Sequence, residues 1–195
     1  KKTNENTFNF TYKKFQKEFS LKLNGEHNFS NAACVISIAI ALGLSPEDIQ
    51  NKIETFESVH SRLKIYLVKN DIKLIDDCYN ANPSSFKAAL SFLAKSNQKK
   101  LVLMGDMVEL GEESESFHSE IGEYAKEIGI DEFLSIGKYS ENASNVFGEN
   151  GHHFKDAESL KSYLNNNLES SSCILIKGSR SAKLEEYVEF LKMRV

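Results

Sequence analysis

The chain has 195 residues, of which 41% are apolar and 27% charged, with a formal net charge of −4; these are the proportions of an ordinary folded protein. Two prolines are too few for a Pro-rich or collagen-like architecture, and a mild acidic excess without a Lys/Arg block argues against coating nucleic acid. The longest apolar run, Ala32 to Leu42, is eleven residues interrupted only by Ser37, short of the roughly 20 that a membrane-crossing helix needs, so neither a nucleic-acid partner nor membrane insertion is expected.

Residues 1 to 7 are polar, with no basic segment leading into an apolar one, so no secretory signal is expected. Phe8, Phe10 and Tyr12 then alternate with polar residues, and Phe19, Leu21 and Leu23 repeat the alternation until Asn24-Gly25; both stretches read as strands. Two short strands cannot bury a sheet face alone, so they read as the end of a larger sheet. A helix is predicted over 29–42, apolar almost all round and therefore buried on several sides, with Gly43 to end it. Ser45-Pro46-Glu47-Asp48 opens a second helix as N-cap, first-turn proline and first-turn acids. Leu63, Ile65 and Leu67, a turn at Asn70-Asp71, and Ile72 to Ile75 read as a hairpin.

Beyond it the pattern becomes regular. Helices are predicted over 83–95, 114–128, 141–147 and 157–168, with a last one carrying Leu184, Val188 and Leu191. Strands are predicted over 101–104, 133–136 and 173–176, with a short extended piece at His153-Phe154 and an exposed turn at His152-His153. Repeated strand–helix units imply an α/β fold, a mostly parallel sheet with helices on both faces. Cys34, Cys78 and Cys173 form no CxxC and no zinc spacing, so reduced thiols of a cytosolic protein are expected, with no metal ligands.

The polar residues collect after the strands. Asp76-Asp77-Cys78-Tyr79-Asn80-Ala81-Asn82-Pro83, Gly105-Asp106-Met107, Gly137-Lys138 and Lys177-Gly178-Ser179-Arg180 each follow one. In a parallel sheet all four leave the same edge, where open α/β sheets take ligands. A carboxylate at Asp77 suits the two hydroxyls of a ribose; capping of the turn and helix by Asp77 and Asn82 fits the spacing equally. Lys177 to Arg180 offers two cations and backbone N–H groups at a helix start, suited to an anion; a helix cap with a solvated Arg fits as well. Asn28 and Asn31, three apart behind His27, share a helix face and suit an adenine edge or a phosphate, while N-capping is the simpler reading. His118, beside Phe117 on an amphipathic helix, reads as structural. There is no GxxxxGK[ST], hence no P-loop.

Five segments in this order resemble the Mur ligase family: Gly25-Glu26-His27-Asn28-Phe29-Ser30-Asn31-Ala32-Ala33, Ser61-Arg62-Leu63, the Asp76 to Pro83 segment, Gly105-Asp106-Met107-Val108-Glu109-Leu110-Gly111, and Lys177 to Arg180. YNANP, GDMxELG and KGSR resemble in particular the branch that adds D-alanyl-D-alanine. The resemblance implies that residues 1–57 correspond to the C-terminal part of a central, P-loop-type ATP-binding domain and 58–195 to a C-terminal Rossmann-like domain. It implies a bacterial cytoplasmic enzyme of peptidoglycan precursor synthesis, in which ATP with Mg2+ activates the carboxylate of UDP-MurNAc-tripeptide as an acyl phosphate and the amine of D-Ala-D-Ala displaces phosphate.

By motif, His27, Asn28 and Asn31 would line the adenine side of the ATP site and Arg62 would reach the phosphates. Asp77, with Tyr79 beside it, would hold the ribose. Asn80, Asn82, Asp106, Lys177, Ser179 and Arg180 would face the substrates, with Arg62 and Lys177 the catalytic candidates. Cys78 stands where the family frequently has Ser. Without a P-loop the chain is expected to be a fragment, inactive alone, whose missing N-terminal and central domains are its partners and carry the magnesium ligands. The alternatives are a free-standing nucleotide-binding or interaction module and another amino-acid ligase of the same type. A module would close residues 1–57 into the main sheet; a fragment would leave them an incomplete edge with exposed apolar surface.

Overall fold

The computed structural model describes residues 7–12, 15–23, 27–56 and 62–193, with His27 described in its backbone only. The chain divides into two compact units, residues 1–59 and 60–195.

In the first unit, β1 (Thr7–Tyr12) and β2 (Phe15–Ser20) form an antiparallel two-stranded sheet, followed by α1 (His27–Ala41) and α2 (Pro46–Thr55). Alternation places Phe8, Phe10 and Phe19 on one face, where they meet Ala32 and Ile36 of α1 and Ile49 of α2. β2 starts four residues earlier than the alternation of Phe19, Leu21 and Leu23 suggests, with Phe15 paired to Tyr12 of β1. Ser45 caps α2, its Oγ accepting the Asp48 N–H at 3.1 Å, with Pro46 in the first turn. The expectation that α1 is buried on several sides is corrected: Val35 is 55%, Ile38 60% and Leu42 75% exposed. A two-stranded sheet and a ten-residue helix cover only one side of it. Gly43, at φ +78°, ends it as expected.

In the second unit, β3 (Lys64–Val68) and β4 (Ile72–Asp77) form the hairpin, with Asn70 and Asp71 both left-handed in its turn. α3 (Pro83–Leu93), β5 (Lys99–Gly105), α4 (Ser114–Glu127), β6 (Glu132–Ile136), α5 (Ser140–Phe147), β7 (Gly151–Phe154), α6 (Ala157–Asn167), β8 (Ser172–Lys177) and α7 (Glu185–Met193) follow. The sheet order is β3-β4-β8-β5-β6-β7, parallel throughout except for the antiparallel edge strand β3. This is the Rossmann-like α/β architecture that the repeated strand–helix units imply.

The central strands are apolar on both faces, which is what helices on both sides require. Odd and even positions therefore serve different layers. Ile75, Val102, Met104, Cys173 and Leu175 pack under α3, α4 and α5, against Phe86, Leu90, Leu93, Ile121 and Ala143. Leu74, Leu101, Leu103, Ile174 and Ile176 pack on the other side, against Leu160 and Leu164 of α6 and Val188 and Leu191 of α7. At about 1.5–3 kcal/mol for each fully buried aliphatic or aromatic side chain, these two layers are the main stabilising contribution. One expectation fails at the far edge. His152-His153 is not an exposed turn; it lies in β7, paired in parallel with β6, with His153 Nδ1 3.0 Å from Ser135 Oγ and the His152 ring against Tyr163.

Candidate functional site: the C-terminal edge of the sheet

The parity that builds the layers also builds the site. Asp77 continues the face of Ile75, and Lys177 that of Cys173 and Leu175, and the two residues are in register across β4 and β8. Both side chains therefore point toward α3. Lys177 Nζ donates to Asp77 Oδ2 at 2.6 Å and to the Asn80 carbonyl at 3.0 Å, and lies 5.9 Å from the centre of the Phe86 ring. Lys177 is 2% exposed. Its ammonium is thus spent on an internal ion pair and on holding the Tyr79-Asn80 turn, and is not presented to solvent.

Asp77 has a second task. Its Oδ1 accepts the N–H of buried Leu63 at 3.0 Å, which holds Leu63 in a left-handed backbone conformation, φ +48°, one that a branched aliphatic residue adopts only when its surroundings enforce it. The same bond fixes the peptide following Arg62, whose guanidinium lies 4.4 Å from the centre of the Tyr79 ring. One carboxylate thereby joins three of the sequence candidates, Arg62, Tyr79 and Lys177. Next to it, buried Asp76 accepts the Cys78 N–H at 3.2 Å. The Cys78 thiol donates to the Ile176 carbonyl at 3.4 Å; burial, reinforced by Asp76, pushes its pKa far above the ordinary thiol value, so it is no nucleophile.

Asp106 leaves β5 on the same edge, and Gly105 is paired with Ile136 of β6. Its carboxylate accepts three successive backbone N–H groups, Lys138 at 2.9 Å, Tyr139 at 3.0 Å and Ser140 at 2.8 Å, the start of α5. A carboxylate at a helix N-terminus satisfies donors that otherwise lack partners and meets the positive end of the helix dipole. Gly137 (φ +134°) leaves room for it; a Cβ there would overlap the carboxylate. On the other side, the Asp106 carbonyl accepts the Ser179 N–H at 3.0 Å, and Ser179 Oγ accepts the Val108 N–H at 3.0 Å. Gly178 and Gly105 lie back to back, with Gly105 Cα 3.1 Å from where a Cβ on Gly178 would stand. The GDM and KGSR loops are therefore stitched together.

The loop after β8 runs into a 3-10 turn, Arg180–Ala182, before α7 starts at Glu185, so Lys177 precedes and Arg180 opens a single tight turn rather than a helix start. Arg180 is exposed and pairs loosely with Glu185 at 3.4 Å. Asn82 does cap α3, in a reciprocal capping box with Ser85, and Asn80 Oδ1 accepts the Ala81 N–H. In the first unit, Asn31 Nδ2 donates to Asn28 Oδ1 at 3.2 Å, so the two share a face of α1 as their spacing requires; the side chain of His27 lies outside the described residues.

His118 is buried at the base of this edge, and its placement explains its structural character. Nε2 accepts the Met107 N–H at 2.9 Å, and Nδ1 lies 2.6 Å from the Ser114 carbonyl. An acceptor Nε2 makes Nδ1 the protonated nitrogen. Burial lowers the His118 pKa, against the pull of the Asp106 charge. No sequence spacing announces this tie, since the bond joins a loop amide to a helix residue eleven positions later.

Arg62, Lys138 and Arg180 are exposed cations on an edge whose carboxylates Asp76 and Asp77 are buried. That distribution suits an anionic ligand. Among the described residues no group of three or more His, Cys, Asp and Glu side chains could hold a metal ion, and no helix is long and apolar enough to cross a membrane.

Residues 61–180 match the family model described as Mur ligase, glutamate ligase domain. The UDP-N-acetylmuramoyl-tripeptide–D-alanyl-D-alanine ligase of Escherichia coli (strain K12) is 39% identical over 175 residues, covering 88% of this chain and 38% of that protein. The enzyme of the same name from Bacillus subtilis (strain 168) is 33% identical over 190 residues, covering 93% and 41%. Among solved structures, MurF from Acinetobacter baumannii superposes with a TM-score of 0.84 at 30% identity, over 96% of this chain and 42% of that one. The chain thus spans about two-fifths of the length of the relatives it matches.

Proposed function

The chain belongs to the Mur ligase family, and from that membership we propose that it works as the C-terminal part of a bacterial, cytoplasmic, ATP-dependent ligase that joins D-Ala-D-Ala to UDP-MurNAc-tripeptide. On this reading residues 1–57 belong to the central ATP-binding domain and 58–195 to the C-terminal domain, while the compact units divide between Val59 and His60. The observation that carries the reading is the 39% identity to a ligase of that name over 88% of the chain. The exposed apolar face of α1 and the separation of β1 and β2 from the six-stranded sheet support it against a free-standing module.

When bound, ATP supplies the phosphoryl group that turns the tripeptide carboxylate into an acyl phosphate, from which the D-Ala-D-Ala amine displaces phosphate to form the amide. The contribution of this chain is placement and charge, the two things such a reaction asks of a protein. Arg62, fixed through Leu63 N–H to Asp77 and laid over Tyr79, offers a preset cation to the phosphates. Asp77 and Lys177 act mainly by holding that arrangement from below. Asp106 and Ser179 fix the loops that carry Lys138 and Arg180, the exposed cations of the substrate-facing edge. Asn80 and Asn82 sit exposed on that edge, and Asn28 and Asn31, bonded to each other on α1, are the residues assigned to adenine.

The test is ADP release by the full-length ligase. It is expected to require UDP-MurNAc-tripeptide and D-Ala-D-Ala together, and to fall about 100-fold in Arg62→Ala through lost alignment of the phosphates. The 195-residue chain alone, having no P-loop, is expected to release none. Turnover with a single amino acid in place of D-Ala-D-Ala would assign the chain to another ligase of the family. ADP release that ignores both substrates would overturn the reading.

A further inference from the structure

We propose that His118 is a positioning residue whose imidazole, as the Nδ1–H tautomer, locks the Asp106–Val108 loop against the Ser179 turn and so sets the shape of the substrate-facing edge. The proposal rests on the ligase reading for what that edge does, but the lock itself stands on the geometry of this chain.

Two successive amides of the loop are accepted by side chains of two different segments. Met107 N–H goes to His118 Nε2 at 2.9 Å, from α4, and Val108 N–H goes to Ser179 Oγ at 3.0 Å, from the loop after β8. The preceding residue, Asp106, holds the start of α5 through three N–H groups and takes the Ser179 N–H on its carbonyl. Met107 and His118 are both fully buried, so water cannot take over the amide if the imidazole is lost, and a buried unpaired N–H is costly. The tautomer is fixed from its other side: Nδ1 lies 2.6 Å from the Ser114 carbonyl, where a proton is needed. The ring also lies against Tyr139, centroids 5.9 Å apart, and the Tyr139 N–H is one of the three on Asp106. A single ring therefore touches the β5–α4 loop directly and the start of α5 through Tyr139, two of the three segments that Asp106 joins. Loss of the acceptor frees the Met107 peptide while leaving the sheet and both apolar layers intact. A loop displaced by about 1 Å is enough to cost on the order of 100-fold in a reaction that depends on alignment.

The experiment has two arms. In the first, 15N NMR of the 195-residue chain reads the His118 tautomer, and amide exchange reads Met107 and Val108. Expected are a protonated Nδ1, and exchange at both amides that is slow in the wild type and in His118→Gln but at least tenfold faster in His118→Phe. A protonated Nε2, or equal protection in all three, overturns the proposal. In the second, the full-length ligase is assayed with the same variants. His118→Phe, which keeps a ring but no acceptor, is expected to lose about 10- to 100-fold in kcat with an unchanged ATP KM, and His118→Gln to recover most of it. Equal losses of kcat in Gln and Phe mark a merely structural residue and overturn the proposal. A wild-type enzyme without ligase activity defeats the functional reading instead, and the first arm still decides whether the lock exists.

Discussion

The two ends of the six-stranded sheet use charged residues in opposite ways. At the C-terminal edge Lys177 and Asp77 are buried and Asp106 is half-buried, and each is bonded to backbone: Lys177 to the Asn80 carbonyl as well as to Asp77, Asp77 to Leu63 N–H, Asp106 to three N–H groups at the start of α5. At the opposite edge, Lys99 pairs with Glu169 at 2.7 Å and with Glu132 at 3.3 Å, Lys100 faces Asp131 at 3.6 Å, and Tyr163 donates to Glu132. There only Glu132 is buried, and it lies beside an open cleft lined by Lys99, Asp131, Asn150 and His152. Charges in water contribute little to stability, whereas charges out of water must be fully paired. The buried set therefore shapes loops with a definition that exposed pairs cannot give.

The contrast sets an order of effects. Lys177→Ala leaves Asp77 buried without its cation and releases the Asn80 turn; a loss of about 3–5 kcal/mol is expected in chemical denaturation of the chain. Asp106→Ala orphans three amides at the start of α5 and should cost about 2 kcal/mol, with a local rise in amide exchange at Lys138, Tyr139 and Ser140. The third effect is in pH. Burial lowers the His118 pKa from the ordinary 6.5 despite the nearby Asp106 charge, so on acidification the unfolded chain takes up a proton before the folded one does. The stability from neutral His118 is complete above 6.5 and is lost as pH falls below it, until the folded imidazole itself titrates. The slope is at most about 1.4 kcal/mol per pH unit, and a His118→Gln variant should lack that component of the pH dependence. The smallest effect belongs to the far edge: Lys100→Ala, which removes only the 3.6 Å pairing with exposed Asp131, should cost under about 1 kcal/mol, and less in high salt. A far-edge loss larger than that of Lys177→Ala would reverse the comparison.

Much of this was legible in the sequence, for a physical reason. β4, β5 and β8 are apolar on both faces because helices cover both, and so they read as continuous runs; the loops after them were visible as polar breaks, and their convergence followed from parallel order. β7 is legible only in part, as the extended piece at His153-Phe154, since Gly151-His152-His153-Phe154 has neither alternation nor an apolar run and owes its full length to pairing with β6. The exposure of α1 is not legible either, because apolar composition states what a helix can bury, not what is present to cover it. In the site, the spacing left Asp77 open between ribose and turn and Lys177 open between anion and cap. Their mutual bond spans 100 positions and follows only from the register of β4 and β8. His118 read as structural, yet its partner in the Asp106 loop needed coordinates.

The C-terminal edge of the sheet is proposed to be the ligand-facing side of this domain. Hydrogen–deuterium exchange of the full-length ligase, with and without a non-hydrolysable ATP analogue and UDP-MurNAc-tripeptide, tests it most directly. Expected is ligand-dependent protection in residues 78–82, 105–111, 137–140 and 177–182, and none around Asp131, Asn150 and Glu169. Protection around the Lys99–Glu132–Tyr163 cleft, with the four loops unchanged, would contradict it.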